Sequence, residues 1–224
     1  MRSRGKQVER AALLVAALGI LTAAIPGRTW GQEPRLEGRI AEPVRSNIDA
    51  ILDRARAEGL PTEPLVDRAL EGASKGAAPE RILAAVERLS QELRVARDAL
   101  GVGSSEAEIV AGASALRAGA EAQDLAQLRA TRSARPLTVA AAVLADLVAV
   151  GVPVDTAVSA VLALAAGVDD VEYIAFRRNV ERDIALGASP VTAIGVRLAG
   201  ETAAEEFANV DRPGATRPPS PRKP

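Results

Sequence analysis

The chain has 224 residues, 48% of them hydrophobic and only 2% aromatic, with 28 Lys and Arg against 29 Asp and Glu and neither histidine nor cysteine. Disulfides, thiolate metal sites, cysteine nucleophiles and histidine acid–base chemistry are thereby excluded, and the near-neutral balance supplies no general basic field for nucleic acid. The apolar fraction suits a folded globular chain rather than a disordered one.

Residues 1–10 carry Arg2, Arg4, Lys6 and Arg10 against Glu9, and an uncharged run follows over 11–25 before Pro26-Gly27. A cationic start, a short apolar core and a small-residue exit form a secretory signal, predicted over 1–31 with cleavage after Ala24 or Gly31. If uncleaved, residues 11–25 serve as a membrane anchor, the 17 residues between Arg10 and Arg28 being at the short edge of the roughly 17–25 that span a bilayer. Without cysteine, a lipid-modified anchor cannot form there. The sequence therefore predicts export to a periplasmic or extracellular location. With the basic 1–31 and the basic last fourteen residues set aside, the body between them is acidic and gains no attraction to polyanions.

Residues 32–42 read as a linker, 43–132 as an N-terminal helical subdomain and 133–210 as a more apolar helical subdomain. Val44, Ile48, Ile51 and Ala55 repeat at helical spacing after Pro43 and stop at Gly59. Pro61-Thr62 opens a shorter helix with Leu65, Val66, Ala69, Leu70 and Ala73, ended by Gly76. Over 79–100, Ile82, Val86, Leu89, Leu93, Ala96 and Leu100 form one apolar stripe, with Pro79 at the start and Gly101 past the end. Arg88/Glu92 and Arg94/Asp98 are expected as pairs along that helix. Arg97 falls on its solvent face, so truncating it is expected to cost under about 0.5 kcal/mol.

Ser105 and Glu108 have capping-box spacing and open a helix over 104–118; a weaker one follows over 121–132. RSARP, residues 132–136, is the expected subdomain boundary. Residues 137–168 contain only Asp146 and Asp155 as charges, and Gly151-Val152-Pro153 splits them into two helices apolar on nearly every side. Asp155 is placed to cap the second of these. Further helices are expected at 169–184, 189–199 and 200–209, followed by a disordered Pro/Arg-rich tail over 211–224. Laying Gly59-Leu60-Pro61 on Gly151-Val152-Pro153 also superposes Val66 on Val158, Leu70 on Leu162 and Ile82 on Ile174. The expected fold is thus all-α, with tandem antiparallel helical hairpins in an α-solenoid-like stack.

No residue is singled out as catalytic, cofactor-binding or metal-ligating. Asp169, Asp170 and Glu172 form the densest acidic cluster, but they sit where a helix begins, and the helix dipole favours them there. Ser105 and Ser189 read as caps, Ser159 lacks a nucleophile elbow, and Ser74-Lys75 lacks the S-x-x-K spacing. What remains is an exported, non-enzymatic interaction or scaffold protein. Its expected partner is another protein or an envelope component, not nucleic acid, with membrane contact only through an uncleaved 11–25. The alternative is a carrier of an apolar small molecule, held in a groove lined by Leu144, Leu147, Val148, Val158, Val161 and Leu162.

Overall fold

A computed structural model describes residues 33–133 and 135–210; the expected signal or anchor and the expected tail lie outside them. Among the described residues there are nine α-helices, one 3₁₀ turn and no strand. The helices are α1 (Val44–Ala57), α2 (Glu63–Ser74), α3 (Pro79–Leu100), α4 (Glu106–Ala118), α5 (Ala122–Thr131), α6 (Thr138–Ala149), α7 (Val154–Leu164), α8 (Asp170–Ala185) and α9 (Pro190–Val210).

One local device ends five of these helices. At Gly59, Gly76, Gly119, Gly151 and Gly187 the backbone turns left-handed, with φ between 66° and 112°. The glycine N–H and the next residue's N–H return to carbonyls in the last turn, as in Leu60 to Ala55 and Val152 to Leu147. This is the Schellman arrangement, which satisfies carbonyls that the helix end would leave open. Leu60, Ala120 and Val152, each following such a glycine, are buried, so the turn also sets where the next helix enters the core. At helix starts, Ser105 with Glu108 and Asp169 with Glu172 form reciprocal capping boxes. Ser189 accepts from the Thr192 N–H. Asp155 does not cap: it lies within the first turn of α7, whose N-cap is Pro153, where its charge still favours the positive helix end.

The expected α3 stripe is buried along its whole length. On α1 the buried line runs Val44, Ile48, Leu52 and Ala55, with Ile51 only half-buried, because two steps of four rotate the face by one position. The segment expected as a linker is tied down from Glu33 onward: Leu36 and Ile40 are buried, the Glu33 N–H donates to Asp49, and Arg35 forks onto Glu63. The two helices expected over 189–209 are one, α9, running through Gly200. A single helical glycine costs roughly 1 kcal/mol, which does not by itself end a helix whose flanks, with Ala199, Ala203 and Ala204, hold good helix formers.

α4 sits between α3 and α6 and packs closely on both. Ala111, Gly112, Ala113 and Ala115 are buried on it, and a methyl at Gly112 would lie 3.0 Å from Leu100 and 3.2 Å from Ala96. Small residues let the helix axes approach. Further along, α6 packs on α7 and α8, α5 on α3 and α7, and α9 on α7 and α8.

The expected boundary at 132–136 does not separate two cores, since one hydrophobic cluster runs from Leu36 to Ile194. Polar groups bolt the join as well. Glu108 on α4 accepts from the Leu137 N–H at 2.9 Å and from Arg129 at 2.6 Å. Arg132, its side chain only 1% exposed, donates to Val168 O at 2.8 Å and to Asp170 at 3.0 Å, and lies 5.0 Å above the Tyr173 ring.

Candidate functional site

The residues expected to line an apolar groove lie instead in packed surroundings. Leu144, Leu147 and Val161 are buried, while Val148, Val158 and Leu162 are half-buried and packed against the core. The crevice among Leu144, Val158, Val161 and Leu162 is closed from the α5 side by Leu125 and Leu128 and has a volume of about 10 Å³. That is the room of about one water molecule.

An open concavity lies elsewhere, where α2, α3 and α4 meet. A hollow of about 300 Å³ is lined by Arg68 of α2, by Arg81, Ala84, Ala85, Arg88, Leu89 and Glu92 of α3, and by Arg117 of α4. A second, of about 410 Å³, adjoins it through Arg68, Leu89 and Arg117 and adds Asp67, Glu71, Val110 and Ser114. Residues 81, 84, 85, 88 and 92 follow one another at helical spacing, so a single face of α3 forms the floor. Ala84 and Ala85 leave the space open, for no side chain longer than a methyl rises from the middle of that floor.

The first hollow holds four guanidinium groups and one carboxylate. Arg117 donates from Nε and Nη2 to Glu92 at 2.9 and 2.7 Å, and Arg68 pairs with Glu71 at 3.2 Å. Glu71 also meets Lys75 at 2.6 Å, and that ammonium above all holds its carboxyl below the usual range. Arg81 and Arg88 are exposed and have no ion-pair partner among the described residues. A concave basic patch thus sits on an acidic body.

Comparison of the chain with known protein families, curated proteins and solved structures finds no match.

The expected ion pairs along α3 are replaced by pairs between helices. Glu92 serves Arg117 of α4, and Arg94 reaches Glu58 at 2.8 Å, just past α1. Arg97 donates to the Glu58 carbonyl at 2.8 Å as well as to Asp98. A one-helix pattern shows which residues share a face but not what the neighbouring helix brings to it. The groove escapes the sequence for the same reason: Arg68, Arg81, Arg88 and Arg117 stand on three different helices, and no local pattern links them. Their signal lies only in their convergence.

Another hollow, about 310 Å³, lies by Arg132, Arg135, Asp169 and Asp170. Its guanidiniums already serve the Val168 carbonyl and Asp170. Asp169 is an N-cap, as expected, and among the described residues no group of three acidic side chains is placed to hold a metal ion. Ser159 stands exposed on α7 and Ser74 donates to the Glu71 carbonyl. No helix among the described residues is long and apolar enough to cross a membrane.

Proposed function

We propose that the protein is an exported, non-enzymatic helical scaffold that binds another protein or an envelope component through the surface of α2, α3 and α4. The observation carrying this reading is the contrast between a filled apolar interior and an open, charged groove. An apolar ligand has about 10 Å³ beside Leu144 and Val158, whereas a polar partner meets two adjoining hollows of hundreds of Å³. The helices are proposed to be tandem hairpins in a solenoid-like stack. The same turn at Gly59 and Gly151, and the run of contacts from α4 to α6 to α8 and from α5 to α7 to α9, support that arrangement. Residues 1–31 are proposed as the export signal, with 11–25 as its apolar core.

A photocrosslinking side chain at Ala84, introduced into the full chain in its native host, tests the reading, with Ala126 on the exposed side of α5 as control. A discrete adduct from position 84 and none from 126 is expected, together with activity of a C-terminal reporter that works only outside the cytoplasm. No adduct from position 84, combined with an apolar molecule carried by the purified protein in native mass spectrometry, would favour a carrier.

A further inference from the structure

We infer that the α2–α3–α4 groove is a docking site for an extended acidic segment of a partner protein, whose carboxylates are gripped by Arg81 and Arg88. This rests on the scaffold reading and specifies the chemistry of its partner. Arg81 and Arg88 are seven residues apart on α3, two turns or about 10.5 Å along the axis. Both line the same hollow, and neither has an ion-pair partner among the described residues. Guanidinium groups recognise carboxylates through paired, parallel hydrogen bonds.

The spacing selects a ligand conformation. In a polyproline-type extended chain, residues i and i+3 share a face about 9.3 Å apart, close to the separation of the two arginines. A helix is about 10–12 Å across with its side chains and overfills a hollow of about 300 Å³. Between the arginines, Ala84 and Ala85 offer a methyl-lined floor for the two intervening residues, and Leu89 continues it just past Arg88. The second hollow continues the track past Arg68 and Arg117 to Asp67, which is exposed and has no ion-pair partner among the described residues. That end favours a cation or an N–H group on the ligand.

Charge chooses the class of partner. The acidic body opposes the approach of a polyanion or an anionic membrane, and Glu92, Glu71 and Asp67 line the groove margins. A short segment with two or three carboxylates meets the basic floor without confronting the rest of that field.

The test uses the full chain and three capped, fluorescein-labelled, proline-rich peptides at about 50 mM salt. One has glutamates three residues apart, one has adjacent glutamates, and one has glutamines in place of the spaced glutamates. Fluorescence anisotropy is expected to give the spaced-glutamate peptide a Kd below about 1 mM, with the other two at least about fivefold weaker. Arg81→Gln/Arg88→Gln should weaken it at least about tenfold, and Arg178→Gln, on the solvent face of α8, less than about twofold. Circular dichroism checks each variant's fold, and amide shifts of Ala84, Ala85 and Leu89 on titration locate the site. Equal binding of the glutamine peptide, or equal losses at Arg178 and at Arg81/Arg88, overturns the inference. So does occupation of the groove by inorganic phosphate or phosphatidylglycerol vesicles when the peptide leaves those amides unmoved. Should the peptides fail while Ala84 still crosslinks to a protein in the host, the acidic-segment assignment falls and the scaffold reading stands.

Discussion

Glu108 shows how a buried charge is kept in this protein. Burial alone would push its carboxyl up. The Ser105 and Leu137 N–H groups and the Arg129 guanidinium oppose that and bring it down to about 2. The carboxylate therefore serves two helix starts, its own and that of α6, where the partial positive charge of each helix end adds support. Because its folded-state value lies below the ordinary 4.5, its stabilisation is complete above about pH 4.5 and is lost as pH falls toward 2. Glu108→Gln is expected to cost about 2–4 kcal/mol at pH 7, since it leaves Arg129 without its buried partner and weakens the bond to Leu137. In urea unfolding, the gap between wild type and variant should narrow markedly at pH 3. A gap that stays constant from pH 7 to pH 3 would mean that the Glu108 charge contributes nothing to folding. Arg97 calls for a revised magnitude. Its bond to the Glu58 carbonyl closes the end of α1, so Arg97→Ala should cost about 1 kcal/mol rather than the smaller loss expected of a solvated side chain. Leu93→Ala, which empties a fully buried site on the same helix, should cost about 2–4 kcal/mol.

At the level of helices, the glycines divide into those the turns require and those the chain carries without need. Gly119 has φ of 112°, and a methyl there would sit 3.1 Å from Val154. Gly195 lies inside α9 with nothing within 4 Å of an added methyl. Gly119→Ala should therefore lower stability by about 1–3 kcal/mol, and Gly195→Ala should raise it by about 0.5–1 kcal/mol. Thermal unfolding followed at 222 nm reads both, and a stabilised Gly119 variant would contradict the left-handed turn. These positions also mark what was legible in the chain. Gly59, Gly76, Gly101 and Gly151 announce helix ends, Ser105 with Glu108 announces a start, and the α3 stripe announces its buried face, because each obeys a rule spanning a few residues. The pairing of Glu92 with Arg117 and the convergence of four arginines obey no such rule. They follow from how α2, α3 and α4 settle against one another: Gly112 lets α4 approach α3, and Ala84 and Ala85 leave the space between the arginines open. The apolar run 137–168 reads equally as cavity wall and as core, and only the arrival of Leu125 and Leu128 from α5 distinguishes them.

Across the whole molecule, the decisive feature is that the 132–136 break carries more tertiary bonding than a hinge would. Arg132 leaves the end of α5, passes beneath the surface and binds the carbonyl and carboxylate that lead into α8. Tyr173, whose hydroxyl donates to Val161 O at 2.7 Å, lies under that guanidinium, and its burial pushes the phenol up to about 12. A cation placed there is costly unless both ends of the bridge are formed together, so neither half can be loosened without exposing groups that the other half satisfies. The two halves should then unfold as one unit. In a urea titration followed by amide cross-peaks, Leu93 of α3 and Val180 of α8 are expected to lose native intensity with the same midpoint. Arg132→Met, which keeps much of the side-chain volume but none of the donors, should lower both midpoints together. If Val180 melted first in wild type while Leu93 stayed native, 133–210 would be a separate folding unit, and a rigid groove on α2–α4 would owe nothing to the helices beyond it.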